Sequence, residues 1–156
     1  MDKLLIQNAR VYRDGKFTRA DVLCEDALIA KIGENLTDDD AQIIDAGGMR
    51  LAPGFIDVHT HGAAGVDVNA ADEAGLRQIA AFFATQGVTA FHASVLTDTP
   101  ETTEKCLGAI ENVMRDRGKG AQLLGAHLEG PFLAKEYKGA MPEYLLREGD
   151  ENLLRD

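Results

Sequence analysis

The chain has 156 residues, a mass of 16.8 kDa and 45% hydrophobic residues, so it is large enough to bury a hydrophobic core. Its 16 lysines and arginines stand against 26 aspartates and glutamates, and the net charge of −10 argues against a nucleic-acid partner. The first apolar run, Leu4-Leu5-Ile6, is too short for a signal peptide, and no later stretch resembles a membrane span. We therefore predict a cytoplasmic protein with no membrane partner.

Residues 1–52 have the pattern of a β segment. Apolar or alternating runs cover residues 3–12 and 20–32, and the turn signal Arg13-Asp14-Gly15-Lys16 separates them. A further strand is predicted at residues 42–45. The turn residues Ala52-Pro53-Gly54 then mark a change of pattern, so we predict a boundary between residues 1–52 and residues 53–156.

Residues 53–156 alternate between predicted strands and helices. The strands are expected at residues 55–58, 88–96 and 122–128, and the helices at residues 72–86 and 100–117. This β-α-β-α-β order predicts a parallel sheet, which belongs either to an open doubly wound sheet or to a closed eight-stranded barrel. Because a complete barrel takes about 250 residues, we expect this chain to supply only the first β-α units if the barrel is correct.

The two cysteines, Cys24 and Cys106, are far apart in the sequence. Neither lies in a CxxC pair, which is the spacing typical of redox and zinc sites. We therefore expect two reduced thiols in core positions.

Two histidines follow the first strand of the second segment. His59 and His61 are two positions apart, so the pleat of a strand places both imidazoles on one face. Neutral imidazole is a preferred zinc ligand, and a divalent metal site is one interpretation; two histidines with ordinary loop hydrogen bonds is the other. Asp57 lies on the same face and is either a hydrogen-bond partner of a ligand or a structural carboxylate.

The end of the third strand carries His127 and Glu129, again two positions apart. Because the carboxyl ends of parallel strands meet at one edge, we expect Glu129 to lie beside His59 and His61. His127 is then a candidate supporting residue. His92 lies inside the second strand, where a core or supporting histidine is expected rather than a ligand.

Four motifs together resemble one known family. The first resembles the first-strand signature of the amidohydrolase superfamily, and the others are similar to the more specific signature of the N-acetylglucosamine-6-phosphate deacetylases. The likeness extends over nearly the whole chain. The motifs are Ala52-Pro53-Gly54-Phe55-Ile56-Asp57-Val58-His59-Thr60-His61-Gly62, Gly87-Val88-Thr89-Ala90-Phe91, Gly125-Ala126-His127-Leu128-Glu129-Gly130-Pro131-Phe132 and Lys138-Gly139-Ala140.

The resemblance implies an α/β fold, a (β/α)8 TIM-type barrel with a small β-sandwich, of which residues 1–52 and 53–156 are the first parts. It implies metal-dependent hydrolysis of N-acetylglucosamine 6-phosphate to glucosamine 6-phosphate and acetate, in amino-sugar metabolism. Glu129 matches a metal ligand, and His59 and His61 match the pair that binds a second metal in members that keep both. The resemblance therefore implies one or two divalent metal ions, for which zinc is expected, and a homodimer in the complete enzyme.

The resemblance also implies groups that this chain does not contain. The acid/base aspartate and two further metal-binding histidines of the family lie on later barrel strands. We therefore expect the catalytic acid beyond residue 156 and an inactive chain in isolation.

Residues 133–143 form a predicted loop after the third strand. By resemblance this loop closes over the sugar, and the expected substrate contacts are Lys138, Gly139, Ala140 and Met141. The family often has a histidine where this chain has Met141. Solvated lysines on a surface loop are the alternative interpretation.

Two other functions remain open from the sequence. The first-strand motif also suits other amidohydrolases, such as a dihydroorotase-like hydrolase of cyclic amides. A chain with three strands of a barrel would leave two unpaired edges, which favours association. A non-enzymatic metal-binding or interaction module is therefore the second alternative.

Overall fold

The computed structural model describes residues 2–116 and 118–151. The chain divides into two compact units, Met1–Pro53 and Gly54–Asp156. Each unit has its own sheet, and helices occur only in the second among the described residues. The mixed α/β class predicted from the sequence is confirmed.

The first unit is a five-stranded sheet. Its strands are β1 (Lys3–Arg13), β2 (Lys16–Glu25), β3 (Leu28–Gly33), β4 (Gln42–Asp45) and β5 (Arg50–Leu51). The order is β3-β2-β1-β4, and β5 also pairs with β1. Strands β1, β2 and β3 are antiparallel neighbours, whereas β4 and β5 run parallel to β1, a pairing that the sequence pattern did not reveal.

The second unit begins with β6 (Phe55–Thr60) and a short hairpin, β7 (Gly62–Ala63) and β8 (Val66–Asp67), followed by a 3-10 turn at Val68–Ala70. The longer elements are α1 (Glu73–Thr85), β9 (Val88–Leu96), α2 (Pro100–Arg115) and β10 (Gln122–Glu129). Strands β6, β9 and β10 form a parallel sheet in the order β10-β9-β6. Two more 3-10 turns follow, at Lys135–Tyr137 and Glu143–Leu145.

The helix boundaries follow from capping residues. The Asp72 side chain accepts a hydrogen bond from the Gly75 amide at the start of α1, and the Thr99 side chain accepts one from the Thr102 amide at the start of α2. Helix α2 ends at Arg115, earlier than the predicted end near residue 117, and residue 117 lies outside the described residues. No helix in the described part of the chain is both long and apolar enough to cross a membrane.

One face of the parallel sheet packs on the two helices. Alternate residues of β9, namely Phe91, Ala93 and Val95, are buried against this helical layer, and the residues between them point to the opposite face. The helices contribute Leu76, Ile79, Phe83, Cys106, Ile110 and Val113 to the same core. Both cysteines are free; Cys106 is buried as expected, but Cys24 is only half-buried.

Candidate metal centre

Three predicted ligands converge at the carboxyl ends of the outer strands of the parallel sheet. His59 lies near the end of β6, His61 follows that strand, and Glu129 is the last residue of β10. The Nε2 atom of His59 is 3.1 Å from Nε2 of His61 and 3.1 Å from Oε2 of Glu129. The Nε2 atom of His61 is 3.0 Å from the same carboxylate oxygen. The structure therefore brings together the three residues that the strand-end argument placed side by side.

A main-chain contact places a proton on one nitrogen of the His61 ring. Its Nδ1 atom lies 3.1 Å from the carbonyl oxygen of Ser94. A carbonyl oxygen only accepts, so Nδ1 of His61 carries the proton and donates it. In the neutral ring the lone pair is then on Nε2, which faces His59 and Glu129. A lone pair and a carboxylate at this separation repel each other unless a proton or a metal ion lies between them.

The donor set fits a divalent metal ion. A tetrahedral ion with ligands at about 2.0 Å separates its ligand atoms by about 3.3 Å, close to the edges of 3.0 and 3.1 Å in this triangle. Two imidazoles and one carboxylate suit zinc and related ions. The His59, His61 and Glu129 side chains are 50%, 39% and 33% exposed, so an ion and a further ligand can reach them from solvent.

Ser94 and His127 contact each other and the proposed ligands. Ser94 is fully buried, and its hydroxyl oxygen is 3.1 Å from Nδ1 of His127. The His127 ring packs against the His59 ring, with 4.8 Å between ring centroids. His127 therefore contacts a proposed ligand but lies outside the triangle of ligand atoms.

Asp57 contacts the backbone of a proposed ligand, whereas His92 lies outside the cluster. The Asp57 carboxylate accepts a hydrogen bond of 3.0 Å from the backbone amide of His59, so it holds the peptide rather than an imidazole. His92 is half-buried on β9, and its ring lies against Gly125, where a Cβ atom would be 3.5 Å from Nδ1. His92 is not part of the cluster.

Three of the four loop residues predicted to contact substrate are joined by hydrogen bonds within the loop. The Lys138 ammonium donates to the Met141 carbonyl at 2.9 Å and approaches the Gly139 carbonyl at 3.4 Å. Met141 is buried, whereas Gly139 and Ala140 are exposed. Among the described residues no hydrogen bond joins these four residues to the cluster. Nearby, the hydrogen bond from Lys135 holds the pKa of Glu143 below its ordinary value.

Two residues that the sequence reasoning missed connect the ends of the strands. The Thr97 hydroxyl donates a hydrogen bond of 2.8 Å to the backbone carbonyl of Glu129. The Asn69 side chain donates to the Leu96 carbonyl at 3.1 Å and accepts from the Leu96 amide at 2.9 Å. Neither residue was a candidate in the sequence analysis, because a tertiary hydrogen bond leaves no periodic pattern in the sequence.

The chain matches a set of known proteins over nearly its full length. It is 37% identical over 160 residues to N-acetylglucosamine-6-phosphate deacetylase from Mus musculus, covering 98% of this chain and 39% of the relative. The chain thus spans well under half of the curated relative that it matches. No protein-family model matches.

Solved structures agree with that match. The crystal structure of N-acetylglucosamine-6-phosphate deacetylase from Pasteurella multocida superposes with a TM-score of 0.87 at 23% identity, covering 98% of this chain and 41% of the other, which establishes the likeness of fold. The corresponding enzyme structure from Thermotoga maritima gives a TM-score of 0.79 at 28% identity, with coverage of 97% and 39%.

Proposed function

We propose that this chain supplies part of the active site of a metal-dependent deacetylase. It is related to the N-acetylglucosamine-6-phosphate deacetylases along 98% of its length. The substrate is N-acetylglucosamine 6-phosphate, and the products are glucosamine 6-phosphate and acetate. The single observation that carries this proposal is the convergence of His59, His61 and Glu129 within hydrogen-bond distance of one another.

These three side chains would hold the metal ion, and we propose zinc, with one ion at this position. When bound, a divalent metal supplies Lewis acidity toward the acetyl carbonyl and a water molecule. A second ion would require ligands in addition to these three residues.

The residues of the chain orient the ligands. Glu129 brings a negative charge, which favours a cation over a neutral occupant. The hydrogen bond from His61 to the Ser94 carbonyl keeps the Nε2 lone pair directed at the site. The Asp57 carboxylate fixes the peptide that carries His59, and His127 packs against the His59 ring.

The remaining parts of the proposed active site require strands in addition to those observed here. We propose that β6, β9 and β10 are the first three strands of an eight-stranded barrel in residues 53–156, and that residues 1–52 belong to a small β-sandwich. Two observations support the barrel. The strands neighbour one another in chain order, and the helices cover only one face of the sheet.

Substrate binding is proposed for the loop after β10. Lys138 holds the turn through the Met141 carbonyl, so the exposed backbone at Gly139 and Ala140 is the part available to a sugar. A doubly charged sugar phosphate does not cross a membrane unaided, so we place the reaction in the cytoplasm. A homodimer is proposed for the complete enzyme.

The proton donor for the leaving amine is proposed to lie beyond residue 156. Apart from the proposed ligand Glu129, Asp57 is the carboxylate that contacts a proposed ligand within the described residues, and it already accepts a hydrogen bond from the His59 amide. Acetamide hydrolysis needs a group that protonates the departing nitrogen. We therefore propose that the 156-residue chain binds metal but does not turn over substrate.

The test measures acetate release from N-acetylglucosamine 6-phosphate by the natural-length protein and by the 156-residue chain, each with zinc. Acetate release by the natural-length protein that a chelator abolishes is expected, with none from the 156-residue chain. Hydrolysis of dihydroorotate in place of the acetylated sugar would indicate the cyclic-amide alternative. Tight zinc binding with no hydrolysis of either substrate by the natural-length protein would indicate a non-enzymatic metal-binding module.

A further inference from the structure

We propose that Thr97 and Asn69 are positioning residues that set the place of the Glu129 carboxylate relative to the two histidines. This inference rests on the proposed metal site. Thr97 is 7% exposed and lies directly after β9, where its hydroxyl donates to the Glu129 carbonyl at 2.8 Å. The side chain of one buried residue is thus bonded to the main chain of the proposed ligand itself.

The position of this bond explains its role. Glu129 pairs with Leu96 at the last register position of β9 and β10, so the ladder between these strands ends at the proposed ligand. The end of a ladder frays more readily than its middle. The Thr97 hydroxyl adds a cross-strand bond at this point and therefore restricts the backbone that carries the carboxylate.

The same contact restricts which residue can follow Glu129. Gly130 has a φ of +103°, and a Cβ atom there would lie 1.8 Å from Oγ1 of Thr97. A side chain at residue 130 and the hydroxyl of Thr97 therefore exclude each other. The glycine allows Thr97 to approach the Glu129 carbonyl.

Asn69 makes a second connection at the end of β9. Its amide group satisfies both the N–H and the C=O of Leu96, as a neighbouring strand would. Asn69 belongs to the turn Val68–Ala70, and the amide of Val68 donates to the His61 carbonyl at 2.9 Å. The turn therefore links the backbone of His61 to the end of β9, and Thr97 links the end of β9 to Glu129.

The consequence is a fixed distance between ligands that come from the two outer strands. His61 directly follows β6, and Glu129 is the last residue of β10. These two strands do not pair with each other, because β9 lies between them. Because metal affinity depends on ligand placement, loss of such a supporting bond commonly weakens metal binding roughly 10- to 100-fold. We expect this loss when either link is removed.

The experiment measures zinc affinity of the 156-residue chain by competition with a chromophoric chelator. The variants are Thr97→Val, which removes the hydroxyl, and Thr97→Ser, which keeps it. The matched control is Thr89→Val. The Thr89 hydroxyl also donates to a backbone carbonyl, that of Phe55, but at the opposite end of β9 from Thr97. Absorption spectra of the cobalt-loaded variants report the ligand geometry directly.

We expect Thr97→Val to weaken zinc binding roughly 10-fold or more and to change the cobalt spectrum, with both restored in Thr97→Ser and unaltered in Thr89→Val. If Thr97→Val does not fold, Asn69→Asp decides the question. This near-isosteric change keeps the acceptor for the Leu96 amide but loses the donor to the Leu96 carbonyl and to the Asp98 carboxylate, so it should also weaken zinc binding.

The outcomes separate the two proposals. Zinc bound by Thr97→Val and Asn69→Asp as tightly as by the unaltered chain would overturn the positioning role and leave the metal site intact. Weak binding by Thr97→Ser as well as Thr97→Val would also overturn it, because the hydroxyl would not be the cause. Absence of zinc binding in the unaltered chain would overturn the metal site and the positioning role together.

Discussion

His61 donates its Nδ1 proton to the backbone carbonyl of Ser94, 3.1 Å away on the neighbouring strand β9. The acceptor is a main-chain atom, so the orientation of the His61 ring depends on the strand and not on the chemistry of residue 94. The Ser94 side chain serves a different histidine, since its hydroxyl oxygen lies 3.1 Å from Nδ1 of His127. One buried residue therefore contacts two imidazoles through two independent groups.

This separation predicts the effect of Ser94→Ala. The change removes the contact to His127 but keeps the carbonyl that holds His61, so we expect the His61 ring to keep its Nδ1 proton. Imidazole nitrogen chemical shifts of the metal-free chain measure both rings. A perturbed His127 signal with an unchanged His61 signal is expected, and a change of the His61 tautomer would contradict the assignment.

Glu129→Gln should abolish tight zinc binding by the 156-residue chain. A neutral amide is a much poorer ligand than a carboxylate for a divalent ion, and the negative charge at the centre is lost with it. His59→Asn should also weaken zinc binding, because one of three ligand atoms is removed. Zinc content after dialysis is the measurement.

Two matched substitutions serve as controls for these ligand variants. Glu136→Gln makes the same chemical change at an exposed position, and His92→Asn does so at a histidine outside the cluster. Both should retain zinc like the unaltered chain. Full zinc content in Glu129→Gln would refute the assignment of the site.

The local sequence pattern was sufficient for the elements that place the site. Asp72 and Thr99 cap the two helices, and the HxH pair was correctly located where the first parallel strand ends. Capping and strand alternation depend on neighbours in the sequence, which is why they could be predicted. The convergence of Glu129 with the histidines followed from one additional rule, that parallel strands end at a common edge.

Features that depend on tertiary contacts could not be predicted in the same way. The parallel pairing of β4 with β1 depends on how the chain returns to the sheet. Residues 42–45 have a polar-apolar-apolar-polar pattern that is the same in both directions, so it does not distinguish a parallel from an antiparallel strand. The hydrogen bond from the Lys138 ammonium to the Met141 carbonyl is likewise a contact that no sequence pattern encodes. The roles of Thr97 and Asn69 depend on which strand ends meet, and single residues without periodicity do not carry that information.

The ion pair between Lys3 and Asp38 predicts a pH-dependent contribution to stability. Their atoms are 2.7 Å apart, and the hydrogen bond from Lys3 lowers the pKa of Asp38 below 3.8 while raising that of Lys3 above 10.5. A lowered carboxyl pKa stabilises the folded chain at pH values above 3.8, and this contribution is lost as the pH falls through the lowered value.

The Asp38→Asn variant measures this contribution. We expect its urea midpoint to be lower than that of the unaltered chain at pH 7, and the difference should shrink as the pH falls below 3.8. Asp39→Asn, at the adjacent position, is the control and should show little difference at either pH. A difference for Asp38→Asn that grows on acidification would contradict the ion-pair assignment.

The two cysteines should differ strongly in reactivity. Cys106 is buried, and its Sγ atom lies 3.2 Å from the Asn69 carbonyl, while burial raises the pKa of its thiol above 9.0. The thiolate is the reactive form, so a raised pKa and burial both slow alkylation. Cys24 is half-buried and should react first. Mass spectrometry after iodoacetamide treatment at pH 8 resolves the order, and faster modification of Cys106 would contradict the packing around the Asn69 turn.

Gly130→Ala should be among the most damaging single substitutions near the site. The backbone at residue 130 has a φ of +103°, which a side chain tolerates poorly, and the new Cβ would lie 1.8 Å from Oγ1 of Thr97. The conformational cost alone is about 1 kcal/mol, and displacement of Thr97 adds to it. We therefore expect both a lower free energy of unfolding and weaker zinc binding.

Gly139→Ala separates the conformational cost of a positive φ from the steric clash with Thr97. Gly139 also has a positive φ, of +58°, but there is open space around its Cβ position. It should lose only the conformational contribution to stability and should bind zinc normally. Adding Thr97→Ala to Gly130→Ala removes the clashing oxygen, so the double variant should recover part of the lost stability. It should not recover zinc affinity, since the hydrogen bond to the Glu129 carbonyl is absent in both variants. Recovery of both properties together would mean that the clash alone, and not the hydrogen bond from Thr97, governs the position of Glu129.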